Sequence, residues 1–151
     1  MNSPSDPYAT FRPRRSRIVA IGAAGVCVVI FTVVAFTVPR GGVNGWAGTD
    51  SVMFVLFGLL IAAFLMRYAQ VKAVPTESGV AVRNLLSTRT VEWAEVANVQ
   101  FGGGAPWLLL ELTDTEHLAV MAIQRSDGPR AEAEAGRMAA LVQVNSEINT
   151  R

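Results

Sequence analysis

Residues Ile18 to Val38 form 21 consecutive positions without a charge. At the α-helical rise of 1.5 Å per residue this run reaches about 31 Å, close to the ~30 Å hydrocarbon thickness of a bilayer. A signal-peptide core is shorter and ends at a small-x-small cleavage site. Here the run ends in AFTVPRGG, with Phe36 and Val38 where small residues would be needed. The run therefore reads as a retained anchor. A second apolar run, SVMFVLFGLLIAAFLM, covers Ser51–Met66. Its densest part, Val52 to Met66, spans only about 22 Å, so a crossing requires the helix to start near Trp46. Asp50 then falls at an interface, where a charge costs far less than at mid-membrane. Trp46 at one end and Arg67 with Tyr68 at the other suit the interfacial belts.

PRGGVNGWAGTD joins the two runs, a glycine-rich connection of the kind that links antiparallel helices. The expected hairpin covers 18–66, with helices over 18–38 and 46–66. Gly58 with Ala62, and Ala20 with Ala24, are small-xxx-small pairs that allow close backbone approach. Cys27, the single cysteine, lies inside the first run and reads as a small buried hydrophobe. Basic residues flank the hairpin unevenly. Arg12, Arg14, Arg15 and Arg17 precede it, Arg67 and Lys72 follow it, and the connection holds only Arg40. The positive-inside rule then places both termini in the cytoplasm, making a two-pass cell-membrane protein. The proline-bearing residues 1–17 are expected to form a disordered basic tail.

After Arg67 the hydrophobic period changes to two. GVAVRNL, TRTVEW and ANVQF alternate; PWLLLELTD puts Leu108, Leu110 and Leu112 on one face, and HLAVMAI does the same with Leu118, Val120 and Ala122. Such alternation between turn residues marks half-buried strands. TDTE links the last two as a hairpin. SDGPRAEAEAGRMAALVQVNSEI then offers Ser126, Asp127 and Gly128 as caps, Pro129 in the first turn, and Met138, Leu141, Val142 and Ile148 on one helical face. This predicts a helix over about 128–147, with Arg130 and Glu134 spaced to pair. A helix with one apolar stripe after a run of strands makes an α+β domain over 67–151.

Together, VEWAEVANVQF, PWLLLELTD, HLAVMAI and DGPRAEAEAGRMAAL resemble the bacterial PH-like domain of the actinobacterial low-molecular-weight protein antigen group, over roughly residues 68–145. The matching features are Trp93 with Glu95 and Val96, Pro106-Trp107, the AVMAI strand, and Asp127-Gly128 with Arg130 and Ala131. The resemblance implies a bent antiparallel sheet, or partly open barrel, capped by the C-terminal helix. It implies no particular activity.

The residues offer little chemistry. GGGAPW lacks the Lys and Ser/Thr of a phosphate loop and runs into a strand. His117 is the only histidine and has no cysteine near it to make a zinc site. Ser87 and Thr88 have no activating partner. No catalytic residue, metal or cofactor is expected. From Arg67 onward, eight basic residues face ten acidic ones, a balance that excludes a counterion-displacing nucleic-acid face. Three surface residues remain as candidates for a ligand or partner: Arg83 and Arg89 beside the first hairpin turn, and Trp107, a residue type enriched at interface hot spots. The preferred function is a non-catalytic membrane protein presenting a cytoplasmic PH-like domain to another membrane or cytoplasmic protein. Self-association is left open. One alternative is an anionic lipid headgroup site at Arg83 and Arg89. The other is an accessory subunit of a membrane enzyme or transporter.

Overall fold

The structure is a computed structural model and describes residues 6–41 and 45–149. It divides into two compact units: Ser16–Ala69, and Met1–Arg15 combined with Gln70–Arg151. The elements are α1 (Arg14–Thr37), α2 (Gly48–Ala69), β1 (Lys72–Pro75), β2 (Gly79–Arg83), β3 (Thr88–Glu92), β4 (Val96–Gln100), β5 (Trp107–Leu112), β6 (His117–Gln124) and α3 (Pro129–Asn149).

The first unit is a helical hairpin. At 22 residues α2 is about 33 Å long, so the helix begins well before the dense apolar run and has the length to cross a bilayer. Asp50 makes that early start possible. Its carboxylate accepts the Ala47 N–H at 2.8 Å and so sits in the first turn as an N-terminal cap. The small residues face inward: Ala20, Ala24, Ala62 and Gly58 are all buried. A Cβ on Gly58 would lie 2.5 Å from the Phe31 Cβ, so glycine is required where Phe31 crosses. Phe31 stacks on Phe54 with ring centroids 4.6 Å apart, and Trp46 meets Phe54 edge-on at 5.7 Å. The Ser51 hydroxyl donates to the Ala35 carbonyl at 2.8 Å and accepts from the Trp46 indole at 2.6 Å. Ser51 thus ties the two helices together through its hydroxyl. The outward side chains, among them Ile18, Val29, Phe57 and Leu60, are apolar and exposed. Two helices of this length and composition are candidate membrane spans.

The second unit holds two three-stranded antiparallel sheets, ordered β1-β2-β3 and β4-β5-β6. They are separate: β3 turns through a short 3₁₀ segment, Trp93–Glu95, into β4 without pairing to it. The strands thus form two sheets rather than one continuous bent sheet, an arrangement consistent with the PH-like α+β fold expected from sequence, and no barrel closure is present among the described residues. The corner is held by its own side chains, with the Glu95 carboxylate accepting the Glu92 N–H at 2.8 Å. Trp93 is fully buried and its indole donates to the Thr76 carbonyl at 2.8 Å, tying the corner to the β1–β2 turn. Gly79 is required beside it, because a Cβ there would lie 2.2 Å from the Val91 carbonyl oxygen. The sheets are joined through Asn84, whose side chain donates to the Ala119 carbonyl at 2.7 Å and accepts the Met121 N–H at 3.2 Å.

The period-two faces are buried as their spacing requires: Val80, Val82 and Val91 on one sheet, Leu108, Leu110, Leu112, Leu118, Val120 and Ala122 on the other. Helix α3 closes this core with Ala131, Ala135, Met138, Leu141 and Val142. The side chain of Ile148 lies outside the described residues. Arg137, rather than Arg130, pairs with Glu134, at 2.6 Å.

The N-terminal segment departs most from expectation. Residues 6–15 are part of the second unit and not a free tail; residues 1–5 lie outside the described residues. Phe11 exchanges two backbone hydrogen bonds with Ala73, at 2.8 and 3.0 Å, and extends the edge of β1. Its side chain is 1% exposed and belongs to the core. The Arg137 guanidinium lies 3.7 Å from the ring centroid and donates to the carbonyls of Pro7 and Ala9 at 3.0 and 2.7 Å. One buried aromatic, together with an arginine that satisfies the segment's carbonyls, offsets the ordering entropy that the polar composition seemed unable to recover.

Candidate functional site

Antiparallel register decides what Arg83 and Arg89 can do. Arg83 ends β2 and pairs with Lys72 on one side and Thr88 on the other. Arg89 pairs with Val82. Residues directly opposite in an antiparallel pair share a face, and successive residues alternate. Arg89 therefore lies on the face of Val82, and Arg83 on the face of Ala81. The two arginines project from opposite sides of one sheet.

Each is also engaged. Arg83 donates to the Gln70 side chain at 2.8 Å. Arg89 forms an ion pair with Glu116 at 2.6 Å, with both side chains about half exposed. Hydrogen bonding to Glu116 raises the Arg89 guanidinium pKa above its ordinary value; desolvation opposes this, and the charges of Glu116, Asp114 and Glu95 add to it. Arg89 thus stays cationic at every working pH, but its charge is neutralised at a solvated surface. Trp107 stands at the start of β5, half-buried and paired with Gln124. Glu116, the partner of Arg89, is in the turn at the other end of the β5–β6 hairpin. The three sequence candidates therefore do not converge on one site.

His117 begins β6 at the surface, and among the described residues no group of three His, Cys, Asp or Glu side chains could hold a metal ion. Gly102–Gly104, all with positive φ, lie in the connection between β4 and β5, with Gly103 and Gly104 exposed.

The basic flank has a definite arrangement. Arg12, Arg14, Arg15 and Arg17 are all exposed, while Pro13 between them is buried. The Asp127 carboxylate accepts the backbone N–H groups of Arg14 and Arg15, both at 2.9 Å, and the Arg15 guanidinium donates to the Ser126 carbonyl at 3.1 Å. Asp127 was expected to cap α3. It instead caps the first residues of α1, where a carboxylate meets unsatisfied N–H groups and the positive end of the helix dipole. The α3 start is served by Gly128, whose carbonyl accepts from Ala131 and Glu132. Sequence reasoning missed Phe11, Arg137 and Asp127. The available signal was the pair Tyr8 and Phe11, two aromatics in an otherwise polar segment.

The outer edges remain. The strand orders leave β3 and β4 at sheet edges on either side of the Trp93–Glu95 corner. Four of five residues in β3, and four of five in β4, are not buried. On β4 the Val99 N–H donates to the neighbouring Asn98 side chain at 2.9 Å. Asn98 and Gln100 both reach Glu111 of β5.

Two three-stranded antiparallel sheets closed by one C-terminal helix match the α+β architecture of a PH-like domain. Comparison with known proteins agrees. The family described as Bacterial PH domain matches residues 70–140. The chain is 33% identical over 133 residues to the uncharacterized protein Rv1417 of Mycobacterium tuberculosis and to the uncharacterized protein Mb1452 of Mycobacterium bovis. The alignment covers 87% of this chain and 86% of each relative, so it takes in the helical hairpin as well as the sheets. The protein belongs to this actinobacterial family of PH-like domain proteins. No solved structure matches it.

Proposed function

We propose that this chain is a two-pass membrane protein that holds a PH-like docking domain at the cytoplasmic face, where it binds another protein in the assembly of a membrane complex. The observation that carries this reading is the pair of open strand edges at the β3–β4 corner. Unpaired strand edges accept an added strand through main-chain hydrogen bonds. The headgroup alternative is weakened by the same geometry, since Arg83 and Arg89 face apart and each has a partner within the domain. Orientation follows from charge: the exposed arginines at 12, 14, 15 and 17 and Lys72 lie at the ends of the hairpin, against Arg40 alone in its connection.

The test has two parts. A reporter fused after Arg151 that works only outside the cytoplasm should stay silent, and strong activity would overturn the orientation. A photo-crosslinker at Ala97 in the full-length protein, expressed in its own membranes, should give a discrete adduct that the same label at Glu77 does not. Equal labelling from both positions would remove the edge as the docking surface.

A further inference from the structure

The β2–β3 turn carries an apolar side chain that the core does not use. Among the described large apolar side chains of the PH-like unit, Leu86 is 87% exposed and Val144 is 55% exposed. Leu86 is held in that position. The turn is closed by the Asn84 N–H donating to the Ser87 carbonyl at 2.8 Å, and the buried Asn84 side chain fixes it to Ala119 and Met121 of β6. A turn anchored in this way cannot fold Leu86 back onto its own domain.

Register shows which end of the unit this is. Lys72, the first residue of β1, pairs with Arg83, which pairs with Thr88, so the turn between Arg83 and Thr88 lies at the end of the sheet where β1 begins. Gln70, the first residue of the unit after α2, bonds to Arg83. The N-terminal segment leaves at the same end. Phe11 pairs antiparallel with Ala73, so the chain runs toward Lys72 as it continues through Arg12 and Pro13 into α1. Both covalent connections to the helical hairpin therefore leave from the end that carries Leu86. The cationic side chains at that end are Arg12, Arg14, Arg15, Lys72, Arg83 and Arg89, of which Arg89 is paired with Glu116 and also feels the charges of Asp114 and Glu95. The Asp127 carboxylate on that side is occupied by backbone N–H groups.

The geometry points to a lipid surface as the occupant: Leu86 dips into the interface of the bilayer that holds α1 and α2, with the cations of that end at headgroup level. The inference rests on the reading of the hairpin as membrane-spanning. It adds a second, non-covalent attachment that fixes how the domain stands on the membrane and leaves the far end, with the β1–β2 turn at Thr76–Ser78, facing water. An apolar tip at the end of the domain where cations outnumber carboxylates is a composition that such interfaces take up. The attachment needs no headgroup pocket.

The experiment uses the full-length protein with Cys27→Ser, reconstituted in phosphatidylethanolamine–phosphatidylglycerol vesicles. Single cysteines placed by Leu86→Cys, Glu77→Cys or Leu60→Cys carry an environment-sensitive fluorophore. Leu60 is an exposed residue of α2 and reports insertion of the hairpin. The expected result is that position 86 is quenched by a shallow lipid-borne quencher and is severalfold less accessible to aqueous iodide than position 77. If position 60 is quenched by lipid while 86 matches 77, the inference is overturned and the hairpin reading stands. If neither 60 nor 86 is quenched by lipid, both fall. Protection of 86 from iodide without quenching by lipid would identify a second copy of the protein as the occupant, and would also overturn the lipid assignment.

Discussion

Truncation of Phe11 to alanine should unfold the PH-like unit far more easily than any change in the neighbouring arginines. The side chain is 1% exposed and lies within the core cluster, with the Arg137 guanidinium 3.7 Å from its ring. Removing a buried phenylalanine costs about 3 to 5 kcal/mol in lost transfer energy and cavity. Loss of the cation–π contact adds roughly 0.5 to 1 kcal/mol. The two backbone bonds to Ala73 survive the substitution, so about 4 kcal/mol is a fair expectation. Small domains are stable by only ~5 to 15 kcal/mol, so the variant should be marginal. The assay is pulse proteolysis of the full-length protein in mild detergent across a urea series. With a slope of about 1 to 2 kcal/mol per molar urea, the midpoint should fall by roughly 2 to 4 M. Phe11→Leu keeps most of the buried area and should fall by about 1 M or less on the same scale. Arg12→Ala, at an exposed neighbouring position, should not move it. A Phe11→Ala midpoint within error of the parent would refute the claim that residues 6–15 are part of the domain.

Two further outcomes follow from the same contacts. Asp127→Ala removes the cap shared by the Arg14 and Arg15 amides and should cost about 1 to 2 kcal/mol, seen as faster tryptic cleavage at Arg14 and Arg15 in the folded protein. Thr115 is the one described non-glycine residue with a positive φ, 69°, in the β5–β6 turn. That conformation is unfavourable for a β-branched residue, so Thr115→Gly should raise the urea midpoint, by about 0.5 to 1 kcal/mol of stability. An unchanged or lower midpoint would count against backbone strain at this turn.

The two helices and the strand faces were legible because each rests on local pattern. Length and apolarity mark Ile18–Val38, and alternation marks Leu108, Leu110 and Leu112; no distant partner is needed to predict either. The burial of Met138, Leu141 and Val142 followed from helical spacing in the same way. Helix α2 was harder, because its start depends on how Asp50 is used, and a cap is decided by one side-chain contact.

The site was less legible, and the reason is register. Arg83 and Arg89 seem neighbours in sequence, but whether they share a face depends on how many residues lie in the turn between them. A shift of one residue would reverse the answer. The single-sheet expectation failed at the same level: alternation locates strands but does not say whether β3 pairs with β4 across the Trp93–Glu95 corner.

By itself the sequence determined the apolar hairpin, the half-buried strands and the amphipathic last helix, all properties of contiguous segments. Only the tertiary structure decided that Phe11 completes a core more than 60 residues along the chain, that Arg137 turns from its helix to hold that segment, and that Asp127 caps a helix begun over 110 residues earlier. Those contacts are made between residues with no sequence relation. Each is stable only because the fold has already brought the backbones together.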